Sequence, residues 1–182
     1  MTIEPAAEAF RRDNKQALVT GGAGGIGEAT CLELARGGAH VFVVDMNLER
    51  AKQLATELPS AQAILLDVTS QDSIQASAAQ IGQLDILVNN AGIGHVVNIV
   101  NTEPADFDRL WEVNVRSVYL VTRAFLPQLL ASRGSIVNIG SVAGLVGFKQ
   151  RFAYCTSKGA VVAMTRQRLP GHRRDAICGR LS

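Results

Sequence analysis

The sequence predicts an α/β fold in which a parallel sheet carries helices on both faces. Three observations predict it. Short, nearly continuous apolar runs (Ala17–Val19, Ala39–Val44, Ala63–Leu66, Leu84–Val88, Ser135–Ile139) alternate with longer stretches of helical spacing. Strands that are apolar on both sides belong in a sheet that is covered twice. The first run opens into the helix-forming stretch Glu28–Ala35 through a glycine turn, Thr20-Gly21-Gly22-Ala23-Gly24-Gly25-Ile26-Gly27, and the second run ends in Asp45.

At 182 residues the chain is long enough for one domain with a full core. Hydrophobic residues make up 47% and charged residues 19%, the balance of a globular rather than a disordered chain. The net charge of +2 is unevenly placed, since five arginines stand against one acid from Arg166 onward. The part before them therefore suggests no basic face for nucleic acid. Three scattered cysteines, Cys31, Cys155 and Cys178, lack metal-ligand spacing and read as free thiols. The opening Met1–Pro5 does not have the build of a secretion signal, and no apolar run approaches the ~18 residues of a membrane span. A cytoplasmic address with no membrane partner and no metal is expected.

Taken in order, residues 1–14 are polar and predict a flexible arm. The glycine turn follows the first strand, and the spacing of Leu48, Ala51, Leu54, Ala55 and Leu58 predicts a second helix that Pro59 stops. Ala63–Leu66 predicts a third, buried strand ending at Asp67. A helix over 71–81 follows, with Thr69 or Ser70 as its cap. Leu84–Val88 predicts the fourth strand, closed by Asn89-Asn90-Ala91-Gly92. A long helical region over 104–130 starts at Pro104, and Pro127 should kink or end it. Ser135–Ile139 is the fifth strand, and 151–169 reads as a final helix.

The glycine turn implies a function. The first turn of a helix has unpaired N–H groups and a partial positive charge, and glycines let a pyrophosphate approach the backbone. Asp45 lies 18 residues beyond Gly27, where an acid would hold the adenosine ribose hydroxyls of a dinucleotide. That carboxylate repels the 2′-phosphate of NADP, and no lysine or arginine occurs in the loop, so NAD is expected over NADP. A second constellation lies downstream. Tyr154 and Lys158 are four residues apart on one helix face, and Ser141 directly follows the fifth strand, at the crevice where the dinucleotide would lie. A phenol, with an ordinary pKa of about 10, is a poor acid or base at neutral pH. A nearby lysine cation and the positive ring of an oxidised nicotinamide both favour the phenolate, which can take a proton from an alcohol as hydride leaves its carbon.

With these residues in order, the chain resembles the short-chain dehydrogenase/reductase family. The matching pieces are Thr20-Gly21-x-x-x-Gly25-x-Gly27, Asp67-Val68, Asn89-Asn90-Ala91-Gly92, Asn114 within Val113-Asn114-Val115, Ser141, and Tyr154-x-x-x-Lys158. The resemblance implies a Rossmann-like, doubly wound sheet of strand order 3-2-1-4-5, and an oxidoreductase moving hydride between NAD(H) and a secondary alcohol or ketone. It implies Tyr154 as acid/base, Ser141 as the hydrogen-bond partner of the substrate oxygen, Lys158 on the nicotinamide ribose, and Asn114 in a proton relay. Cofactor contacts would come from Gly21, Gly25, Ile26, Gly27, Asp45, Asp67, Val68, Asn90, Ala91 and Gly92, together with Tyr154 and Lys158. For Asn89 and Asn114 a structural role stands beside the chemical one. The family also implies a homo-oligomer, a dimer or tetramer, built on helices at 105–130 and 151–168.

The resemblance covers residues 15–167, and 168–182 form an atypical, arginine-rich tail. Family members continue there with a sixth strand, a Pro-Gly loop, a lid and a seventh strand. On the sequence alone the expectation is therefore impaired activity, and the alternative is a dinucleotide-binding protein without turnover or an inactive truncated product. His95 reads as a solvated loop residue beside the substrate mouth. Lys149 and Arg151 read either as solvated surface or as attractors of an anionic substrate.

Overall fold

The computed structural model describes residues 10–166; most of the arm at 1–14 and all of the tail at 168–182 lie outside the described residues. Five parallel strands form one sheet in the order β3-β2-β1-β4-β5. They are β1 (Gln16–Thr20), β2 (His40–Asp45), β3 (Ala61–Leu65), β4 (Ile86–Asn89) and β5 (Ser135–Asn138). Six helices connect or flank them: α1 (Gly25–Arg36), α2 (Leu48–Glu57), α3 (Gln71–Gln80), α4 (Pro104–Trp111), α5 (Ser117–Ser132) and α6 (Phe152–Thr165). This is a Rossmann-like α/β fold, as the apolar runs predict.

Alternation along the strands sends side chains into two cores. Leu18, Phe42, Val44 and Leu87 join Ile74, Val121, Phe125 and Leu129 on one face. Ala17, Val19, Val41, Val43 and Val88 join Cys31, Ala35, Ala51 and Leu54 on the other. Burial, with Glu28 adding to it, pushes the Cys31 thiol up to about 12, so this cysteine is a core residue rather than a reactive one. Side-chain caps appear where the sequence offers them. Asn47 Oδ1 accepts from Arg50 N at 3.1 Å, and Ser70, not Thr69, caps α3 by accepting from Ser73 N at 3.2 Å.

Three expectations need correction. β3 is an edge strand, half-exposed rather than buried, with Leu65 facing solvent at 56% exposure. The region over 104–130 is not one regular helix, because a single wide π turn, Glu112–Arg116, separates α4 from α5. Of the two outcomes expected at Pro127, a kink or an end, the end does not occur, for α5 runs on to Ser132. Fully buried Phe125 and Leu129 lie on either side of the proline, and packing of that face outweighs the one backbone bond a proline removes. Among the described residues no helix is long and apolar enough to cross a membrane.

At the opposite end of the sheet from the glycine turn, Asp85, a residue with a buried carboxylate just before β4, is bonded to β1 and, through its backbone, to β5. Asp85 accepts from Lys15 Nζ (2.9 Å), Gln16 N (3.0 Å) and Gln83 Nε2 (3.1 Å). Its own backbone bonds Gln16 O and Ser135 N. Burial pushes its pKa up, but the Lys15, Gln16 and Gln83 hydrogen bonds outweigh that, and the net shift is downward. A depressed native pKa gives stability that is whole above the ordinary carboxylate value and is lost as pH falls through the native one. Asp85→Asn should therefore cost about 1–3 kcal/mol in urea denaturation at neutral pH. The gap to the unmutated chain should narrow and close as the pH falls below the ordinary carboxylate range and through the lowered native value. A gap that persists undiminished in acid would show that the charge is not what matters.

Candidate active site

Strand order alone locates the site. Going from β1 to β3 the chain adds strands in one direction, and β4 then restarts on the other side of β1. The turns leaving β1 and β4 diverge and open a crevice beyond the carboxyl ends of these strands. The glycine turn leaves β1 and Asn90-Ala91-Gly92 leaves β4, so both border it.

The turn is shaped by glycine chemistry at two kinds of position. Gly21 and Gly25 adopt φ of +61° and +56°, the left-handed region that side chains disfavour. Gly27 needs space: a Cβ there would overlap the Gly21 carbonyl oxygen and lie 2.6 Å from Asn90 Nδ2. Gly24 differs, since it is extended and a Cβ on it would meet nothing. Asn90 holds the turn in place, donating from Nδ2 to Thr20 O and Gly21 O, both at 3.0 Å. Thr20 Oγ1 accepts from Asn90 N (3.0 Å) and Ala91 N (3.1 Å).

An open cleft of about 380 Å³ runs from this turn to α6, lined by Gly21, Gly24, Ile26, Asn90–Gly94, Ile139, Gly140, Arg151, Tyr154 and Lys158. The residues present fit a dinucleotide. The first turn of α1 has no side-chain cap, and the exposed Ile26 beside it is an apolar wall. Gly92 is kept small by Asn114 Oδ1, 3.2 Å from where its Cβ would be.

Tyr154 and Lys158 reach the far end of the cleft from one face of α6. Lys158 is buried, and its Nζ donates to Ile139 O at 2.8 Å. Burial holds this ammonium below the usual lysine range. Its Nζ stands 6.0 Å from the centre of the Tyr154 ring. Asn114 sits in the π turn, fully buried, accepting from Ile93 N (2.8 Å) and donating to Ile93 O (2.9 Å) and Ser157 Oγ (3.1 Å). Both its amide hydrogens are thus committed.

Other residues singled out by the sequence lie beside the cleft rather than in it. Ser141 follows the cleft residue Gly140, and its hydroxyl accepts from Ala143 N at 3.1 Å, capping a short 3₁₀ turn. Asp45 closes β2 and accepts from Ala23 N (3.1 Å) and Asn47 N (2.9 Å). Asp67 accepts from Thr69 N and Thr69 Oγ1, while Val68 packs into the core. Asn89 is structural: it donates to Thr122 Oγ1 (3.0 Å) and Asn138 Oδ1 (2.8 Å). His95 is not solvated, for its side chain is largely buried, with Nε2 3.5 Å from Asp106 and Nδ1 without a hydrogen-bond partner among the described residues. Ile93, Ile139 and Gly140 line the cleft although no motif marks them; in the structure each closely follows a strand, and Ile139, read in the sequence as the last residue of the fifth strand, lies just past the end of β5.

The glycine geometry separates two substitutions of like size. Gly27→Ala should cost about 1–3 kcal/mol or more, because backbone atoms must shift to admit the methyl. Gly24→Ala should leave unfolding stability within ~0.5 kcal/mol of the parent. Equal effects in chemical denaturation would contradict this account of the turn.

Known sequences agree with this architecture. The sequence profile of the short chain dehydrogenase family matches residues 15–175, somewhat past the limit at Gln167 read from the motifs. The "Dehydrogenase/reductase SDR family member 6" of Aquarana catesbeiana is 40% identical over 158 residues, covering 86% of this chain and 64% of that protein. "Cyclopentanol dehydrogenase" of Comamonas sp. is 42% identical over 165 residues, covering 86% and 66%. "Sorbitol dehydrogenase" of Cereibacter sphaeroides is 40% identical, covering 86% and 64%. The chain thus spans about two thirds of the length of the curated relatives it matches. With a matching profile over most of its length, a five-stranded sheet in 3-2-1-4-5 order and a glycine turn at the switch point, the chain belongs to the short-chain dehydrogenase family.

Proposed function

We propose that this chain is an oxidoreductase that moves hydride between NAD(H) and a secondary alcohol or its ketone. The observation that carries the reading is the placement of Tyr154 and Lys158 on one face of α6, in the same cleft as the glycine turn. The nicotinamide, when bound, supplies the hydride chemistry. The chain supplies the rest. Tyr154 exchanges a proton with the substrate oxygen, and Ser141 donates a hydrogen bond to that oxygen from a hydroxyl already anchored at Ala143 N. Lys158, fixed by Ile139 O, presents its ammonium to the cofactor ribose and to the edge of the Tyr154 site. Asn114 acts here as a positioning residue that ties the loop after β4 to α6.

Preference for NAD follows from charge. Asp45 keeps a carboxylate at the end of β2, where the ribose would lie, and would repel a 2′-phosphate. Arg50, the nearest cation in sequence, is drawn to Glu28 at 3.4 Å instead.

Two measurements test the reading. On a panel of simple secondary alcohols, Tyr154→Phe should lower turnover by roughly 10²–10⁴-fold while NAD binding and melting temperature persist; undiminished turnover in this variant would remove Tyr154 from the chemistry. In calorimetric titration NAD should bind more tightly than NADP, and Asp45→Ala should narrow the gap. NADP binding equal to or tighter than NAD in the unmutated chain would overturn the assignment of Asp45.

A further inference from the structure

The cleft carries a positive charge that hydride transfer does not use. Among the described residues its lining contains two cations, Arg151 and Lys158, and no carboxylate. Lys158 is buried and committed to Ile139 O. Arg151 is different. Its guanidinium takes part in no ion pair among the described residues, and it lies beside the reacting group, with Cζ 5.9 Å from the centre of the Tyr154 ring. Placement in the helix does not account for it, since Arg151 immediately precedes α6, at the helix end where a cation is disfavoured and an anion favoured. An unpaired guanidinium on the wall of a cleft, next to the group proposed to take the substrate proton, is placed to hold an oxyanion.

We propose that Arg151 is a specificity-determining residue, and that the substrate is a secondary alcohol or ketone with an oxyanion a short carbon chain away from the reacting carbon, as in a hydroxy acid and its keto acid. The planar fork of a guanidinium pairs with a carboxylate or a phosphate through two parallel hydrogen bonds. In the oxidative direction the carbinol carbon gives its hydride to NAD⁺, the hydroxyl proton passes to Tyr154, and the oxyanion stays unchanged on Arg151. The inference rests on the oxidoreductase reading of this cleft, but the binding it asserts can be measured without turnover.

The experiment uses the full chain with NAD and a series of hydroxy acids of increasing spacer, from lactate to 4-hydroxypentanoate. Each acid is run beside its methyl ester, and glycerol 3-phosphate represents the phosphate class. At least one anionic alcohol should be oxidised with kcat/KM on the order of tenfold or more above the neutral compounds. Arg151→Gln should cut that acid-to-ester ratio by about 10- to 100-fold, and Arg151→Lys should restore part of it. A preference for glycerol 3-phosphate over every carboxylate supports the proposal with phosphate as the anion. The second arm is calorimetric. The preferred anion should bind the NAD-loaded Tyr154→Phe chain, and adding Arg151→Gln should abolish that binding while the melting temperature holds. If neutral esters are turned over as well as acids, or the ratio is unmoved in Arg151→Gln, this proposal fails and the oxidoreductase reading stands. If nothing is turned over yet the anion binds through Arg151, the reverse holds.

Discussion

A single side-chain amide holds the architecture of the site together. Asn90 Nδ2 donates to the carbonyls of Thr20 and Gly21, fastening the turn after β1 to the turn after β4. These turns leave neighbouring strands in opposite senses, and without a tie the crevice between them would have no fixed width. Once the Gly21 carbonyl is held there, the first turn of α1 must pass directly over it, which leaves Gly27 no room for a side chain. The uncapped end of α1 then opens into the cleft. Cofactor geometry thus depends on a hydrogen bond made by a residue whose strand is distant in sequence and adjacent in space.

A second polar chain crosses the fold in the other direction. Thr122 on α5, Asn89 at the end of β4, Asn138 at the end of β5 and Thr165 on α6 are linked by successive hydrogen bonds of 3.0, 2.8 and 3.0 Å. Buried polar groups of this kind are costly unless every partner is present, so they specify one arrangement of strands and helices rather than merely a compact one. The practical result is that the helix carrying Tyr154 and Lys158 is indexed to the sheet. The close approach of the 3₁₀ turn after Ser141 to the backbone of Lys158, which permits no side chain at Gly144, fixes the same helix from another side.

Much of this was legible in the sequence, for identifiable reasons. The glycine turn, the strand-ending Asp45 and the four-residue spacing of Tyr154 and Lys158 are local patterns, and local patterns survive in one dimension. The strand order also follows, once the family resemblance is added to the alternation of apolar runs. What stayed hidden was set by tertiary context. The edge position of β3 depends on what does not pack against it. Pro127 is carried inside α5 because Phe125 and Leu129 are buried on either side. Asp85 looks like an ordinary polar interruption of a strand until Lys15, Gln16 and Gln83 are seen to converge on it. Arg151 reads in the sequence either as solvated surface or as an attractor of an anionic substrate, and only the cleft shows which way the start of α6 faces. Ser141 stands apart as a case where sequence position and site proximity agree but its observed bond is to its own turn.

The π turn at Glu112–Arg116 has a consequence of a different kind. In a regular helix each residue advances the azimuth by about 100°, so a turn that takes in one extra residue rotates everything after it by about that angle. The chain from Pro104 to Ser132 therefore presents two unrelated faces along one nearly continuous rod. Upstream, Phe107 stacks on Phe152 at the start of α6, with ring centres 5.9 Å apart. Downstream, Val121, Phe125 and Leu129 turn inward to the sheet. The extra residue is a phase adjustment that lets one rod serve two neighbours. Asn114 lies within that adjustment, so its grip on Ile93 and Ser157 is tied to the helix being out of phase with itself.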